Sequence, residues 1–236
     1  MAHHLHLDGT GWHLPPDLVP IHTADGSCTL DSAEIQEHYH SLYGALTESR
    51  HVYITHGLQA TGLRQLQLLE VGLGTGLNAL LTWIACRETG LEVDYLALEP
   101  YPLPEQLWMR LDHPAVAGHA ELAEGFKAMM TATPGEQLDL GDGFRFRWER
   151  QPVQDLACTE AFDLVYFDAF APAVQPAMWT GAVFRKVHQA MRDGALLVTY
   201  CAKGDARRAM KATGFQAERL PGPPGKRHML RARRTT

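Results

Sequence analysis

The stretch LLEVGLGTGLNALLTW, residues 68–83, decides the fold. It begins inside a short apolar run, typical of a buried strand, which glycines at positions 72, 74 and 76 interrupt. Residues 77–87 then have the length and apolar spacing of a helix. A strand, a glycine-rich turn and a helix in this order predict one unit of an open parallel sheet with a ligand site at the turn.

The same alternation of strand and helix patterns continues along the chain. Further strands are predicted at residues 93–99, 144–148, 162–167 and 194–200, and helices at 115–130, 180–191 and 205–213. Two late strands, 214–218 and 228–231, are joined by a Pro/Gly loop without a helix, which predicts an antiparallel edge pair. We therefore predict an α/β fold with a Rossmann-like, mostly parallel sheet, and the edge pair favours the class I methyltransferase version of it.

The first residues differ in character from the rest. Residues 1–37 are predicted to be a short N-terminal extension, with a hairpin at Asp25-Gly26 and a polar, histidine-rich start, and residues 38–236 to be the main domain. Asp31 to Glu34 resembles a capping box, which predicts a helix that runs toward Tyr43.

Composition narrows the class of protein. Hydrophobic residues make up 45% and charged residues 20% of the 236 residues, as in ordinary globular proteins. No apolar run is long enough to span a membrane, and no signal peptide is apparent. The four cysteines and the histidines lack metal-ligand spacing, so we expect free thiols, no metal and a cytoplasmic location.

Charge is distributed unevenly. The net charge is −6, but residues 203–236 contain ten basic and two acidic residues, which makes this part +8 and leaves the rest at −14. Such a basic segment can contact phosphates, and it can equally be a solvated face.

The glycine spacing indicates which ligand the turn holds. Dinucleotide sites use G-x-G-x-x-G, whereas this chain has E-x-G-x-G-x-G, with Glu70 followed by Gly72, Gly74 and Gly76. An acid at the strand end is unfavourable beside a pyrophosphate and suits a cationic ligand such as a sulfonium or an ammonium. We therefore predict S-adenosyl-L-methionine as the cofactor.

Two further acids extend the predicted cofactor site. Glu99 ends the next strand, where a carboxylate can accept hydrogen bonds from ribose hydroxyls. Glu149, beside Trp148 at the end of the third strand, is predicted to accept a hydrogen bond from the adenine amino group.

Asp168 follows the fourth strand in the sequence Asp168-Ala169-Phe170-Ala171-Pro172. Ligands bind at the carboxyl ends of strands in such sheets, and a carboxylate there suits an amine acceptor. Asp168 could orient the neutral amine and take its proton, so we predict it to be the catalytic residue.

Four stretches in order carry a resemblance to a known family. LLEVGLGTGLNALLTW (68–83), YLALEPYPL (95–103), FDLVYFDAFAPAVQPAMWT (162–180) and GFQAERLPGPPGKRHMLRA (214–232) resemble the methyltransferase domain of the MnmC family of tRNA-modifying enzymes. Residues 48–53 resemble that family's segment before the first strand.

The resemblance implies a fold, a reaction and roles for residues. The family has the class I methyltransferase fold and methylates the aminomethyl group of a modified wobble uridine, which gives 5-methylaminomethyl-2-thiouridine in tRNA. It implies that the glycine loop and Glu99 hold the cofactor, that Asp168 faces the amine, and that Lys226, Arg227 and Arg50 contact tRNA. The family's FAD-dependent oxidase domain has no counterpart in this sequence, so we expect a single-domain form whose amine is supplied by a separate enzyme.

Other functions remain open at this point. The −14 part of the chain favours methylation of a small-molecule or protein amine, whereas the +8 part favours RNA. A nicotinamide-dependent oxidoreductase would need the longer glycine spacing. A module that binds the cofactor without chemistry would not need Asp168.

Overall fold

The computed structural model describes residues 14–235, so the histidine-rich start lies outside the described part. Three short strands, β1 (Val19–His22), β2 (Cys28–Ser32) and β3 (Glu37–His38), form a separate antiparallel sheet. β1 and β2 pair around Asp25-Gly26, where the sequence predicts a hairpin.

The central sheet has eight strands. They are β4 (Gln65–Val71), β5 (Glu92–Leu98), β6 (Leu138–Asp139), β7 (Phe144–Glu149), β8 (Phe162–Phe167), β9 (Met191–Thr199), β10 (Phe215–Pro221) and β11 (His228–Arg234). Their order across the sheet is β10-β11-β9-β8-β4-β5-β7-β6. The five strands from β9 to β7 are parallel, and β10 and β11 form an antiparallel pair at one edge. The predicted Rossmann-like sheet with its antiparallel edge pair is confirmed.

Helices connect these strands. The α-helices in the described part are α1 (Ala45–Ser49), α2 (Leu77–Thr89), α3 (Glu105–Trp108), α4 (His113–Val116), α5 (Ala123–Thr131), α6 (Gly181–Ala190) and α7 (Gly204–Lys211). α1 continues directly into a π-helix at Arg50–Leu58. Among residues 14–235, no helix is both long enough and apolar enough to cross a membrane.

Both faces of the central sheet are buried. Successive residues of a strand point to opposite faces. On β4, Leu68 packs in a core cluster with residues of α2 and the π-helix, and Leu69 packs in a second cluster with Phe184 of α6. This double burial explains why the parallel strands are nearly continuous apolar runs in the sequence.

The order of the strands creates a crevice beside β4. β4 has β5 on one side and β8 on the other, so the chain leaves β4 and β8 toward opposite halves of the sheet. Ligands bind at such a switch point, outside the carboxyl ends of the strands. The glycine loop follows β4 and Asp168 follows β8, which brings both to this crevice.

Two helix predictions are wrong. The helix predicted from Asp31 toward Tyr43 is absent, because the Ser32 hydroxyl donates to Asp17 (2.6 Å) and the segment continues as β2, a turn and β3. The single helix predicted for residues 115–130 is divided into α4, a 3-10 turn and α5, because Gly118 adopts a left-handed conformation (φ +88°).

The Asp25 carboxylate joins the hairpin to α1. It accepts hydrogen bonds from the Thr47 backbone N–H and hydroxyl (both 2.8 Å) and from the Ser27 hydroxyl (2.5 Å). Burial alone would raise the pKa of Asp25, but these hydrogen bonds hold it well below its usual range. The hairpin is therefore fixed against the main domain, and it positions the segment that follows β3.

Candidate functional site

A cavity of about 210 Å³ lies at the carboxyl ends of β4, β5 and β8. Its walls consist of residues 71–75, 98–101, 152–154, 168–170 and 174–178 together with Leu14, Tyr39, His40, Leu77, Asn78 and Tyr200. The segment after the N-terminal hairpin thus contributes Tyr39 and His40 to a cavity whose base belongs to the central sheet.

The glycine loop is held close to the loop after β8. Gly72 has a φ of +94°, and a Cβ at this position would come within 2.8 Å of the Asp168 carbonyl oxygen. The Gly72 N–H donates to the Leu98 carbonyl (3.0 Å), and the Asp168 N–H donates to the Val71 carbonyl (3.0 Å). Only glycine allows this close approach of three strand ends.

The three glycines of the loop have different surroundings. Gly72 and Gly74 line the cavity, and a Cβ on Gly74 would press on the Tyr39 ring at 3.3 Å. Gly76 is outside the cavity lining and packs against Phe126 and Met130 of α5, where it begins α2 with a φ of +77°. Gly76 therefore serves the turn into α2 and the packing against α5.

Glu70 lies beneath the cavity wall. It is fully buried, does not line the cavity, and accepts a hydrogen bond from the Asn78 Nδ2 (3.0 Å). The same amide nitrogen donates to the Asp168 Oδ2 (2.7 Å). Asn78 lines the cavity, so it stands between the acid predicted to face a cation and the cavity itself.

Burial controls the charge on Glu70. It raises the pKa of Glu70 well above its usual value, the hydrogen bond from Asn78 opposes this effect, and the nearby Asp168 carboxylate raises the pKa further. Two carboxyl groups that share one amide donor are more stable when one of them carries a proton.

Asp168 is held on both of its oxygens. The Tyr53 hydroxyl, on the π-helix, donates to Oδ1 (2.5 Å), and Asn78 donates to Oδ2. Burial raises the pKa of Asp168 to about 6, although both hydrogen bonds lower it. Asp168 lines the cavity, so its position fits a base that is ionised near neutral pH and rigidly aimed.

Glu99 also lines the cavity. Its Oε2 accepts a hydrogen bond from the Gly74 N–H (3.0 Å) and its Oε1 accepts one from the Tyr101 N–H (2.9 Å). Burial raises the pKa of Glu99, and these backbone hydrogen bonds oppose the rise. Each carboxylate oxygen can accept a second hydrogen bond, so Glu99 can still accept from a ligand.

The structure does not place Glu149 in the cavity. Its side chain lies 3.6 Å from the guanidinium of Arg147 and is absent from the lining. The lining near this strand end is formed instead by Pro152, Val153 and Gln154. The Gln154 Oε1 is buried and has no hydrogen-bond partner among residues 14–235.

The loop after β8 is fixed by aromatic side chains. Tyr200 donates to the Ala169 carbonyl (3.0 Å) and Trp179 donates to the Phe170 carbonyl (2.7 Å). The Phe170 ring meets the Tyr39 ring edge-on, with 4.9 Å between centroids. Tyr39, Phe170 and Tyr200 therefore form an aromatic wall beside Asp168 in the cavity.

The three predicted RNA contacts have different environments. Lys226 forms an ion pair with the buried Glu48 and lies 4.0 Å above the centre of the Tyr200 ring. Arg50 is exposed and donates to the Ala117 carbonyl (3.4 Å). Arg227 is exposed, and its guanidinium has no acidic partner in the described part of the chain.

Sequence reasoning missed Gln154 of the cavity lining and three residues around Asp168. Tyr53, Asn78 and Tyr200 hold Asp168 and its loop, but they lie on the π-helix, on α2 and after β9. Asn78 could have been predicted to lie near the site, because it stands in the first turn of the helix that follows the glycine loop. Tyr53 lies in the segment 48–53 that resembles the family, but local patterns predict neither its contact with Asp168 nor that of Tyr200 with Ala169, since both arise from tertiary packing.

Comparisons with known proteins agree on one family. A family profile described as S-adenosyl-L-methionine-dependent methyltransferase matches residues 149–235. The chain is 31% identical over 229 residues to the tRNA 5-methylaminomethyl-2-thiouridine biosynthesis bifunctional protein MnmC of Ralstonia nicotianae, with 92% of this chain and 33% of that protein covered. The MnmC of Aromatoleum aromaticum is 34% identical, with 89% and 34% covered. The chain thus spans about a third of the length of these relatives.

A solved structure shares the fold. The crystal structure of MNMC2 from Aquifex aeolicus superimposes with a TM-score of 0.73 at 22% identity and covers 93% of this chain and 72% of that one. At this identity the likeness concerns the fold, which is the predicted one.

Proposed function

The chain belongs to the S-adenosyl-L-methionine-dependent methyltransferases, and on that premise we propose that it methylates the aminomethyl nitrogen of a modified wobble uridine in tRNA. The acceptor is then 5-aminomethyl-2-thiouridine and the product 5-methylaminomethyl-2-thiouridine. The observation that carries this proposal is the Asp168 carboxylate, which lines the cavity and is held by Tyr53 and Asn78.

The residues of the cavity suit this cofactor. Gly72 and Gly74 line the cavity without a side chain, so a ligand can lie directly against the backbone of the loop. The carboxylates of Glu99 and Asp168 line the cavity, so the site favours a ligand with positive charge. A pyrophosphate would be repelled by the same groups.

Particular residues are proposed to hold parts of the cofactor. Glu99 accepts hydrogen bonds from the ribose hydroxyls, and Gly72 and Gly74 provide the surface for the amino-acid part. Glu70 acts through Asn78, which it orients. We propose Gln154 in place of Glu149 as the adenine contact, because it lines the cavity and has a free buried acceptor.

Asp168 is proposed to act on the acceptor amine. When bound, S-adenosylmethionine supplies an electrophilic methyl group. Asp168 accepts a hydrogen bond from the neutral amine, directs its lone pair, and takes the proton that nitrogen loses after it is alkylated. Tyr53 and Asn78 fix the direction of the carboxylate, so positioning provides much of the rate.

Similarity and charge support tRNA as the carrier of the amine. The names of the MnmC relatives specify tRNA 5-methylaminomethyl-2-thiouridine biosynthesis. Arg227 is an exposed cation close to the site, next to Lys226. We further propose that a separate enzyme supplies the aminomethyl group and that the reaction takes place in the cytoplasm.

A nucleoside assay tests the proposed function. The purified protein, incubated with S-adenosylmethionine and tRNA that contains 5-aminomethyl-2-thiouridine, should convert this nucleoside to 5-methylaminomethyl-2-thiouridine, as measured by mass spectrometry of the digest. tRNA that carries 2-thiouridine without the aminomethyl group is the matched control and should remain unchanged. Methylation of free amines but not of the tRNA would contradict the proposal and favour the small-molecule alternative.

The rate should fall on the acid side of about pH 6. The pKa of Asp168 is about 6, so its carboxylate is ionised above that pH and accepts a proton below it, where it can no longer take one from the amine. The Tyr53 hydrogen bond lowers this pKa. We therefore expect Tyr53→Phe to move the acid limb of the kcat/KM profile to higher pH. An unchanged limb in this variant would contradict the assignment of the limb to Asp168.

A further inference from the structure

Tyr43 is a large aromatic side chain exposed close to the cavity. Its exposed fraction is 62%, the highest among the large hydrophobic residues in the described part of the chain. It follows Tyr39 and His40, which line the cavity, by a few residues. The side chain therefore offers an exposed aromatic surface three to four residues after the segment that lines the cavity.

The ring of Tyr43 rests on the backbone of the loop between β10 and β11. A Cβ on Gly225 (φ +81°) would come within 2.1 Å of Tyr43 Cδ2 and 2.4 Å of Cε2. The glycine therefore lets the loop backbone lie against the ring. The ring is supported by the loop and keeps most of its surface in solvent, as a stacking surface requires.

The loop that supports Tyr43 also connects it to the cavity and carries positive charge. Gly225 is followed by Lys226, whose ammonium lies over the ring of Tyr200, a residue of the cavity wall. The next residue, Arg227, is exposed and lacks an acidic partner within residues 14–235. One loop beside the cavity thus supports an exposed aromatic ring at Gly225 and carries an exposed cation two residues later.

We propose that Tyr43 is a stacking platform for an unpaired RNA base next to the acceptor nucleotide, with Arg227 on the neighbouring phosphate. The inference rests on the proposed function, since it takes the acceptor to be part of an RNA loop. Bases in single-stranded loops are recognised by stacking on aromatic side chains, and cations contact the backbone. The pairing of a supported ring with a free guanidinium favours RNA over an uncharged ligand.

Binding of a synthetic tRNA anticodon stem-loop, followed by fluorescence anisotropy, tests this inference. Tyr43→Ala and Tyr43→Leu should each raise the Kd about tenfold, whereas Tyr43→Phe and Tyr43→Trp should stay within about twofold of the wild type. Leucine still packs on Gly225 but has no aromatic face. A loss of affinity in Tyr43→Leu therefore reports the loss of stacking with a base and not the loss of packing on the loop. Leu63→Ala is the control and should bind as the wild type, because this exposed side chain precedes the amino end of β4, whereas the cavity lies at the carboxyl ends of the strands.

Salt dependence and cofactor binding distinguish the possible failures. Arg227→Ala should flatten the dependence of Kd on salt, while Tyr43→Ala should leave its slope unchanged, because stacking releases no counterions. All variants should bind S-adenosylhomocysteine as the wild type does. Wild-type affinity in both Tyr43→Ala and Tyr43→Leu would overturn the platform alone. A wild-type protein that binds the cofactor product but not the RNA would overturn the proposed tRNA function as well.

Discussion

Replacing Asp168 by asparagine is expected to lower kcat by a factor of about 10² to 10⁴, the usual contribution of a positioned general base. Asparagine has nearly the same shape, so it can still accept a hydrogen bond from Tyr53. It cannot take a proton from the acceptor amine, and its amide cannot offset the positive charge that develops on nitrogen. The loss should therefore appear in turnover.

The measurement is single-turnover methylation of tRNA together with calorimetric binding of S-adenosylhomocysteine. Affinity for this product should change little, because the ribose and loop contacts proposed for Glu99, Gly72 and Gly74 remain. Asp205→Asn, at an aspartate whose side chain is 88% exposed on α7, is the control and should keep full activity. Wild-type kcat in Asp168→Asn would remove the proposed role of this residue.

A second variant keeps this prediction sharp. In Asp168→Asn the new amide can place its NH₂ group toward the Asn78 Nδ2, and two donors would then face each other. Asp168→Glu keeps the charge but displaces the carboxylate by one methylene, so it should bind the cofactor and lose part of kcat. This intermediate kcat is expected if catalysis requires the carboxylate to point in one direction.

The sheet and the location of the site could be predicted from sequence because both depend on local patterns. Strands buried on both faces are apolar runs, and the glycine loop after β4 marks the switch point of the sheet. The prediction that Asp168 stands beside this loop needs only the rule that parallel strands end at one edge.

The role of Glu70 could not be predicted in the same way. On β4, Leu69 packs in one core cluster, so the pleat directs the next side chain to the opposite face. α2 covers that face, and its Asn78 meets the carboxyl group there. The position of Glu70 in the sequence predicts only that it lies near the end of β4. The direction of its side chain, toward Asn78 and away from the cavity, is visible only in the structure.

Lys226 shows the limit of counting charges. The sequence gives it as one of ten basic residues near the end of the chain, and only the structure shows that Glu48, 178 positions earlier, neutralises it. Of the neighbouring residues Lys226 and Arg227, Arg227 is therefore the one without an acidic partner among residues 14–235. A net charge for a segment therefore overestimates what that segment offers to a phosphate.

Replacing Gly72 by alanine is expected to weaken both the fold and cofactor binding. The new Cβ would lie 2.8 Å from the Asp168 carbonyl oxygen and 3.4 Å from its carbonyl carbon. Both atoms belong to the backbone, so no side chain can rotate to relieve the contact. The loops after β4 and β8 must separate, which displaces the Asp168 carboxylate and the loop surface together.

Gly90→Ala is the matched control for this change. Gly90, at the end of α2, also has a positive φ (+70°), but a Cβ there would meet nothing within 4 Å. Alanine at Gly90 therefore bears only the cost of a left-handed residue, about 1–2 kcal/mol. The difference between the two variants isolates the effect of the close approach.

Urea unfolding with and without S-adenosylhomocysteine measures both effects. We expect Gly72→Ala to lose about 1–3 kcal/mol more free energy of unfolding than Gly90→Ala, the usual cost of overpacking. We also expect the stabilisation by saturating ligand to shrink in Gly72→Ala, because a weaker Kd reduces the gain from binding. Gly90→Ala should keep the full gain. Equal losses and equal ligand stabilisation in the two variants would mean that the contact of Gly72 with Asp168 does not hold the site together.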